Sequence, residues 1–334
     1  MSVRRHNRRS TRPLEDLPSL FAEPPDELLA LGGEVRPDTG TAADYSLDPA
    51  EMAPDMPQLL FMSFGSGSSG NCSFVGTHSA GILIDGGVDN NFVTDRLLHS
   101  GIDMSAIQGI LLTHDHADHV RFAYALLRRN PHMRLYATPR VLEGILRRHN
   151  ISRRIKDYHA PIYKEHTYTF GPMTVIPFET SHDGTDNAGF AITCGPTTLV
   201  IATDMGCVTE RADYYIRQAT ALVIEANYDS GMLERGRYPE YLKSRIRSPR
   251  GHMDNAETAR YLADILVPGK LRSVFLCHLS NDNNTPELAL DEVGKALRGR
   301  GVSLAECHAT MSLDSTEIYL TALPRYETSL LYRL

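Results

Sequence analysis

The run Thr113-His114-Asp115-His116-Ala117-Asp118-His119 follows directly on the apolar stretch Ile110-Leu111-Leu112. It sets three imidazoles and the Asp118 carboxylate within six positions. Neither a packed core nor an ordinary solvated surface favours such a cluster, so the fold must carry it where a strand gives way to a loop. The chain has 14 His in 334 residues, and by chance the pattern H-x-H-x-D-H arises in roughly one of several hundred chains of this composition. Neutral imidazole and carboxylate are the nitrogen and oxygen donors that zinc, manganese or iron accept.

The spacing argues for two ions. His114 and His116, two apart in a chain leaving a strand, point to one side. Asp118 and His119 are adjacent and diverge by about 100° in a first helical turn, so they do not join the same ion easily. The following Val120 to Leu127 reads as a helix. More ligands are then needed, and three apolar runs each end on one. Val175 to Ser181 ends at His182, Thr198 to Thr203 at Asp204, and Ser273 to Cys277 at His278. Singly each is as readily a loop residue as a ligand; together they argue for a metal site.

These residues resemble the ordered motifs of the metallo-β-lactamase superfamily. Asp85 in Leu83-Ile84-Asp85-Gly86-Gly87 is similar to the first motif, the H-x-H-x-D-H loop to the second, and His182, Asp204 and His278 to the third, fourth and fifth. The resemblance implies that His114, His116 and His182 hold one metal, that Asp118, His119 and His278 hold the other, and that Asp204 bridges them. It makes Asp85 a buried support that hydrogen-bonds the ligand loop and fixes imidazole orientation. Phe64 to Cys72, Glu225 to Asp229, Gly251 to Asn255, His278 to Asn281 and Asn284-Thr285-Pro286 are further similar to the YycJ/WalJ-type branch, whose members are described as 5′-exonucleases. The likeness runs over about residues 58–322 and departs at Tyr228, where a histidine is more usual, and at Met253-Asp254, where Leu-Ser is. Its fold class is α+β, a four-layer αββα sandwich; periodicity alone says only that α and β are mixed.

With 42% hydrophobic residues the chain can bury one large core. One catalytic domain over residues 58–334, preceded by a tail, fits better than two domains. No apolar run approaches the roughly 20 residues that cross a bilayer, so the chain reads as soluble. Arg4-Arg5 opens like a targeting signal, but acids and prolines follow in place of an apolar stretch, and the reading is uncleaved and cytoplasmic. Cys72, Cys194, Cys207, Cys277 and Cys307 form no C-x-x-C pair and read as reduced thiols. The net charge of −7 looks wrong for a nucleic-acid enzyme until it is divided along the chain. Between Pro13 and Pro57 stand eleven acids and one base, Arg36. Residues 1–57 therefore read as an acidic, mostly disordered extension with a short helix near Asp26 to Leu31.

Beyond the tail, bases cluster twice. One group runs from Arg128 to Lys156; the other, Arg235, Arg237, Lys243, Arg245, Arg247 and Arg250, leads into His252 with Tyr238 and Tyr241 among its members. Cations track phosphates and aromatic rings stack on single-strand bases. The expectation is a hydrolase with two divalent metal ions, zinc or manganese with iron possible, acting as a phosphodiesterase or 5′-exonuclease on nucleic acid, with DNA favoured. The nucleophile would be a hydroxide shared by the metals. Asp118 would orient it or take its proton, and His252 would contact the scissile phosphate or protonate the leaving oxygen. Ser68, Ser69 and Asn71, in a turn rich in amides and hydroxyls, would hold a terminal phosphate, with Asn255, Arg245 and Arg250 as further substrate contacts.

Three rivals remain. A small cyclic phosphodiester is the nearest. A carboxyl-ester or thioester hydrolase would usually carry a Pro-Gly-His-Thr third motif, whereas Thr180-Ser181-His182-Asp183 stands here. A non-catalytic metal-binding protein would be favoured by a missing donor, and all seven are present. The β-CASP RNA-processing enzymes are set aside, because their large insertion has no room between Asp204 and His278. The residues argue for no membrane contact and for no particular oligomeric state.

Overall fold

A computed structural model describes residues 57–267, 269–306, 308 and 316–334. The acidic extension up to residue 56, its expected short helix and Cys307 lie outside the described residues.

Strand β1 (Leu60–Gly65) is buried at every position, because both of its faces are covered. Side chains alternate across a strand. Accordingly, Phe61 enters one apolar cluster, while Leu60, Met62 and Phe64 enter another. The first sheet also contains β2 (Cys72–Gly76), β3 (Gly81–Ile84), β4 (Ile107–Leu111), β5 (Arg134–Ala137) and β6 (His159–Pro161). The second is built from β7 (Tyr168–Phe170), β8 (Met173–Glu179), β9 (Ala188–Cys194), β10 (Thr197–Ala202), β11 (Ala221–Glu225), β12 (Ser273–Cys277), β13 (Leu304–Ala305) and β14 (Ile318–Ala322). The last strand, β15 (Tyr332–Arg333), returns to the first sheet beside β1. The sheet orders are β15-β1-β2-β3-β4-β5-β6 and β13-β14-β12-β11-β10-β9-β8-β7.

Three cores make four layers. The inner faces of the sheets meet around Phe61, Phe190 and Phe275. The outer face of the first sheet is covered by α1 (Asn90–His99), α2 (Ala117–Val120), α3 (Ala123–Arg129) and α4 (Pro139–Arg148). The outer face of the second lies under α5 (Glu210–Ile216), α8 (Asn255–Ile265) and α9 (Pro286–Gly299). This is the αββα sandwich that the resemblance implied. The helix expected over Val120 to Leu127 is instead two. Phe122 donates its N–H to Gly86 O at 2.8 Å, outside any helix, and this separates α2 from α3.

β3, β4 and β5 run parallel, as do β10, β11 and β12. Parallel strands present their carboxyl ends on one side of a sheet, where sites of α/β folds gather. Asp85, Thr113, Asp204, Glu225 and His278 all stand at or just past such ends.

Candidate metal centre

Three of these residues leave their strands in an unusual way. Asp85, Asp204 and His278 have φ of 63°, 52° and 54°, the left-handed region that costs a non-glycine residue about 1–2 kcal/mol. Strain of this kind persists where its surroundings enforce it. Here the Asp85 N–H donates to Leu111 O at 2.8 Å, and the His278 N–H donates to Ser66 Oγ at 2.8 Å.

Donor atoms of His114, His116 and His182 lie within 4.8 Å of one another, and so do those of Asp118, His119 and His278. Between the triads, Asp204 stands 3.4 Å from His119 Nε2, 3.4 Å from His278 Nε2 and 3.8 Å from His182 Nε2. Nε2 of His114 and Nε2 of His278 are buried without a hydrogen-bond partner. Buried polar atoms are rarely left so. Lone pairs converging from two sides on a carboxylate fit divalent metal ions.

The outward nitrogens of four of the five imidazoles are engaged. His114 Nδ1 meets Thr113 Oγ1 at 3.0 Å and His119 Nδ1 meets Asp85 Oδ2 at 2.7 Å, whereas His116 Nε2 lies 3.2 Å from Asp183 Oδ1 without a hydrogen bond. His182 Nδ1 meets Gly251 O at 2.9 Å, and His278 Nδ1 meets Glu225 Oε1 at 3.0 Å. Such outer partners select the tautomer and aim the inner nitrogen. Asp85 also accepts from the N–H and hydroxyl of Thr113, which ties the start of the ligand loop to β3.

Burial drives the His114 imidazole well below its ordinary range, and burial with the neighbouring His182 lowers His116 to about 4. Burial opposes charge on His119 too, but Asp85, Asp204 and Asp118 outweigh it and push it up to about 9. Desolvation would raise Asp118; His119 and His278 overcome that and hold it at about 2. Asp204 is likewise held well below the usual carboxylate range against its burial by His278, His119, His114 and His182. Ionised acids facing imidazoles leave a centre that calls for positive charge, which metal ions supply in place of protons.

Glu225 is fully buried and organises the far wall. Its Oε1 faces His252 Nδ1 at 2.7 Å as well as His278, while Oε2 accepts from the N–H groups of Met205 (2.8 Å) and Met253 (3.3 Å). The His252 ring lies 5.0 Å from His182 and 5.2 Å from His278. It borders a cavity of about 180 Å³ lined also by Ser68, Tyr238, Arg245 and Arg325. Arg245, on α7 (Glu240–Ile246), pairs with Asp183 at 2.6 Å.

Three residues expected to touch substrate are otherwise occupied. Asn71 closes its own turn, accepting from Gly67 N–H at 2.7 Å and donating to Gly67 O, and its amide reaches Asp118 Oδ2 at 3.2 Å. The same amide lies 2.9 Å from His119 Nε2. Asn255 is buried in a reciprocal amide pair with Asn284 at 2.8 and 2.9 Å, which leaves it no face for a substrate. Arg250 directs Nε and Nη2 onto the carbonyl of His182, each at 3.2 Å, and so steadies the third-motif loop. Ser69 Oγ accepts from Arg325 Nη1 at 3.5 Å.

Glu225 and Asp183 stand inside motifs read from the sequence but were given no role of their own there, and Arg325 was not singled out. Glu225 carried a readable signal, since it ends the apolar run Ala221-Leu222-Val223-Ile224 just as His278 ends its own. Arg325 carried none. Cys72, Cys194, Cys207 and Cys277 are free thiols. Among the described residues no helix is long and apolar enough to cross a membrane.

Residues 81–278 match the family described as the beta-lactamase superfamily domain. The chain is 32% identical over 256 residues to exodeoxyribonuclease YycJ of Bacillus anthracis, covering 77% of this chain and 96% of that one. It is 30% identical to exodeoxyribonuclease WalJ of Streptococcus pneumoniae, covering 71% and 89%. Among solved structures, Zn(2+)-bound PqqB of Methylobacterium extorquens shares the fold with a TM-score of 0.57 at 18% identity, over 81% of this chain and all of that one. The motifs, the sandwich and these relationships together establish that the chain belongs to the metallo-β-lactamase superfamily, in the branch of the YycJ and WalJ proteins, and is a metal-dependent hydrolase.

Proposed function

We propose that the chain is a dinuclear phosphodiesterase that acts on nucleic acid as a 5′-exonuclease, with DNA the favoured substrate. One observation carries the reading. Asp204 lies within 4 Å of nitrogens from both histidine groups, the place a carboxylate shared by two ions would take. His114, His116 and His182 would hold one ion and Asp118, His119 and His278 the other. Bound divalent ions lower the pKa of water and neutralise charge on a phosphoryl group.

The chain's own residues then divide the work. Asp118, ionised and only partly covered, orients the attacking water and accepts its proton. His252 presents Nε2 to the cavity, because Nδ1 is held by Glu225, and it donates a proton to the departing oxygen. Glu225 is a positioning residue. Arg245 on the cavity wall meets a phosphate of the strand, with Asp183 fixing its guanidinium. The names of the relatives, exodeoxyribonucleases at 30–32% identity, support a DNA substrate.

The test is product mapping on end-labelled single- and double-stranded DNA and RNA with zinc, manganese or iron added, beside a panel of thioesters, lactones and cyclic nucleotides. Mononucleotide release from DNA 5′ ends is expected. Turnover confined to thioesters or to cyclic phosphodiesters would overturn the reading.

A further inference from the structure

Arg325 enters the cavity from beyond the last long strand of the second sheet, on the segment after β14. Its guanidinium is fixed by uncharged acceptors alone. Nη1 donates to Ser68 Oγ at 3.2 Å and to Ser69 Oγ at 3.5 Å, and Nη2 donates to the carbonyl of Leu279, next to His278. The group also lies against Gly67, where an added Cβ would come within 2.9 Å of Arg325 Cζ, and over the Tyr326 ring at 5.7 Å. Among the described residues it makes no ion pair with any carboxylate. Arg245, the other cation on the cavity, is paired with Asp183.

A guanidinium held in place without a counter-ion, its charge spent on no acid, is an anion site, and Arg is suited to phosphate because its planar fork grips two oxygens. Ser68 lines the same cavity and brings a hydroxyl. The cavity is lined also by His182 and His278, so an anion held there lies beside the candidate metal centre. Ser68 and Arg325 both fall outside residues 81–278, the part that matches the superfamily domain.

We infer that Arg325, with the hydroxyls of Ser68 and Ser69, binds the terminal phosphomonoester of a nucleic-acid strand and so makes cleavage dependent on a phosphorylated end. The inference rests on the proposed nuclease reading. It assigns Arg325 as a specificity-determining residue and the Ser66–Asn71 turn as its partner.

The experiment compares kcat/KM of the metal-loaded full chain on one labelled oligothymidylate bearing a 5′-phosphate, a 3′-phosphate or hydroxyls at both ends. Wild type should prefer the 5′-phosphorylated strand at least tenfold. Arg325→Gln should bring that ratio close to one, Arg325→Lys should retain part of it, and Ser68→Ala should lower it independently. Thermal melting identifies a variant that has not folded, and Ser68→Ala then still decides the matter. A preference for the 3′-phosphate that Arg325→Gln removes would support the anion site and overturn the 5′ polarity. Degradation of all three strands at equal rates by wild type, or a preference untouched in Arg325→Gln and Ser68→Ala, would overturn the inference while leaving the nuclease reading intact. No cleavage of any strand would sink both.

Discussion

Oδ2 of Asp85 lies 2.7 Å from Nδ1 of His119, and both side chains are sealed from solvent. The carboxylate keeps the proton on Nδ1 and leaves Nε2 aimed at Asp118 and Asp204. Burial raises the Asp85 pKa, and the His119 imidazole and the Thr113 hydrogen bonds act against that rise. Asp85→Asn keeps the shape but removes the charge that holds the ring. Metal affinity should fall about 10–100-fold, read by competition against a chromophoric chelator. An unchanged affinity would show that Thr113 alone orients His119.

Gly87 tests how the ligand helix is seated. A Cβ there would fall 1.5 Å from the Asp118 carbonyl oxygen, while Gly87 N–H donates to Asn71 O and Asn71 N–H donates to Asp118 O. The obstruction is backbone, so it cannot swing aside. Gly87→Ala should cost about 1–3 kcal/mol of stability and lower metal occupancy by displacing Asp118. Denaturant unfolding with elemental analysis of the purified variant measures both.

The fold was legible because the strands that lead to the candidate donors are short and largely apolar, and the candidate donors stood out because the H-x-H-x-D-H spacing has few other uses. The seven donor residues do lie together. What surrounds them was harder to read. Glu225 looks like any acid closing a strand until β11 is seen to run between β10 and β12, which puts it behind two histidines at once. Asn255 and Asn71 read as substrate contacts because polar side chains beside a site have two uses, and only packing shows that these serve neighbouring amides and backbone. Arg325 sits 47 positions after His278, and no local pattern marks a side chain whose partners, Ser68 and Ser69, are more than 250 residues away in sequence.

Chelation should destabilise the folded chain, because donors that bind metal only in the native state link occupancy to stability. At a free metal concentration of about 100 Kd the contribution is about 2.7 kcal/mol. For a chain of this size each kcal/mol corresponds to about 2–4 °C, so removing the metal should lower Tm by about 5–10 °C. His114→Ala, which deletes a buried and otherwise unpartnered nitrogen, should respond to chelator distinctly less than wild type. Equal responses would place the ions elsewhere. Differential scanning fluorimetry with and without chelator decides it.

His252 can be separated from the metal ligands by its leaving group. Its Nδ1 is anchored on Glu225 Oε1 at 2.7 Å and its ring stacks against His278 at 25°, so Nε2 stands at the cavity in a fixed direction. If that nitrogen protonates the departing oxygen, its loss should depend on how much the leaving group needs the proton. A sugar alkoxide needs it, and a nitrophenolate leaves without it. His252→Ala should therefore reduce kcat on DNA by about 10²–10⁴-fold, the usual worth of general acid catalysis, yet reduce hydrolysis of bis(p-nitrophenyl) phosphate far less. Glu225→Gln should follow the same ordering more weakly, and it should also loosen the metal, since the same oxygen faces His278 at 3.0 Å. Equal losses on both substrates would make His252 a contact to the phosphate and not a proton donor, because charge on the non-bridging oxygens is the same whichever group departs.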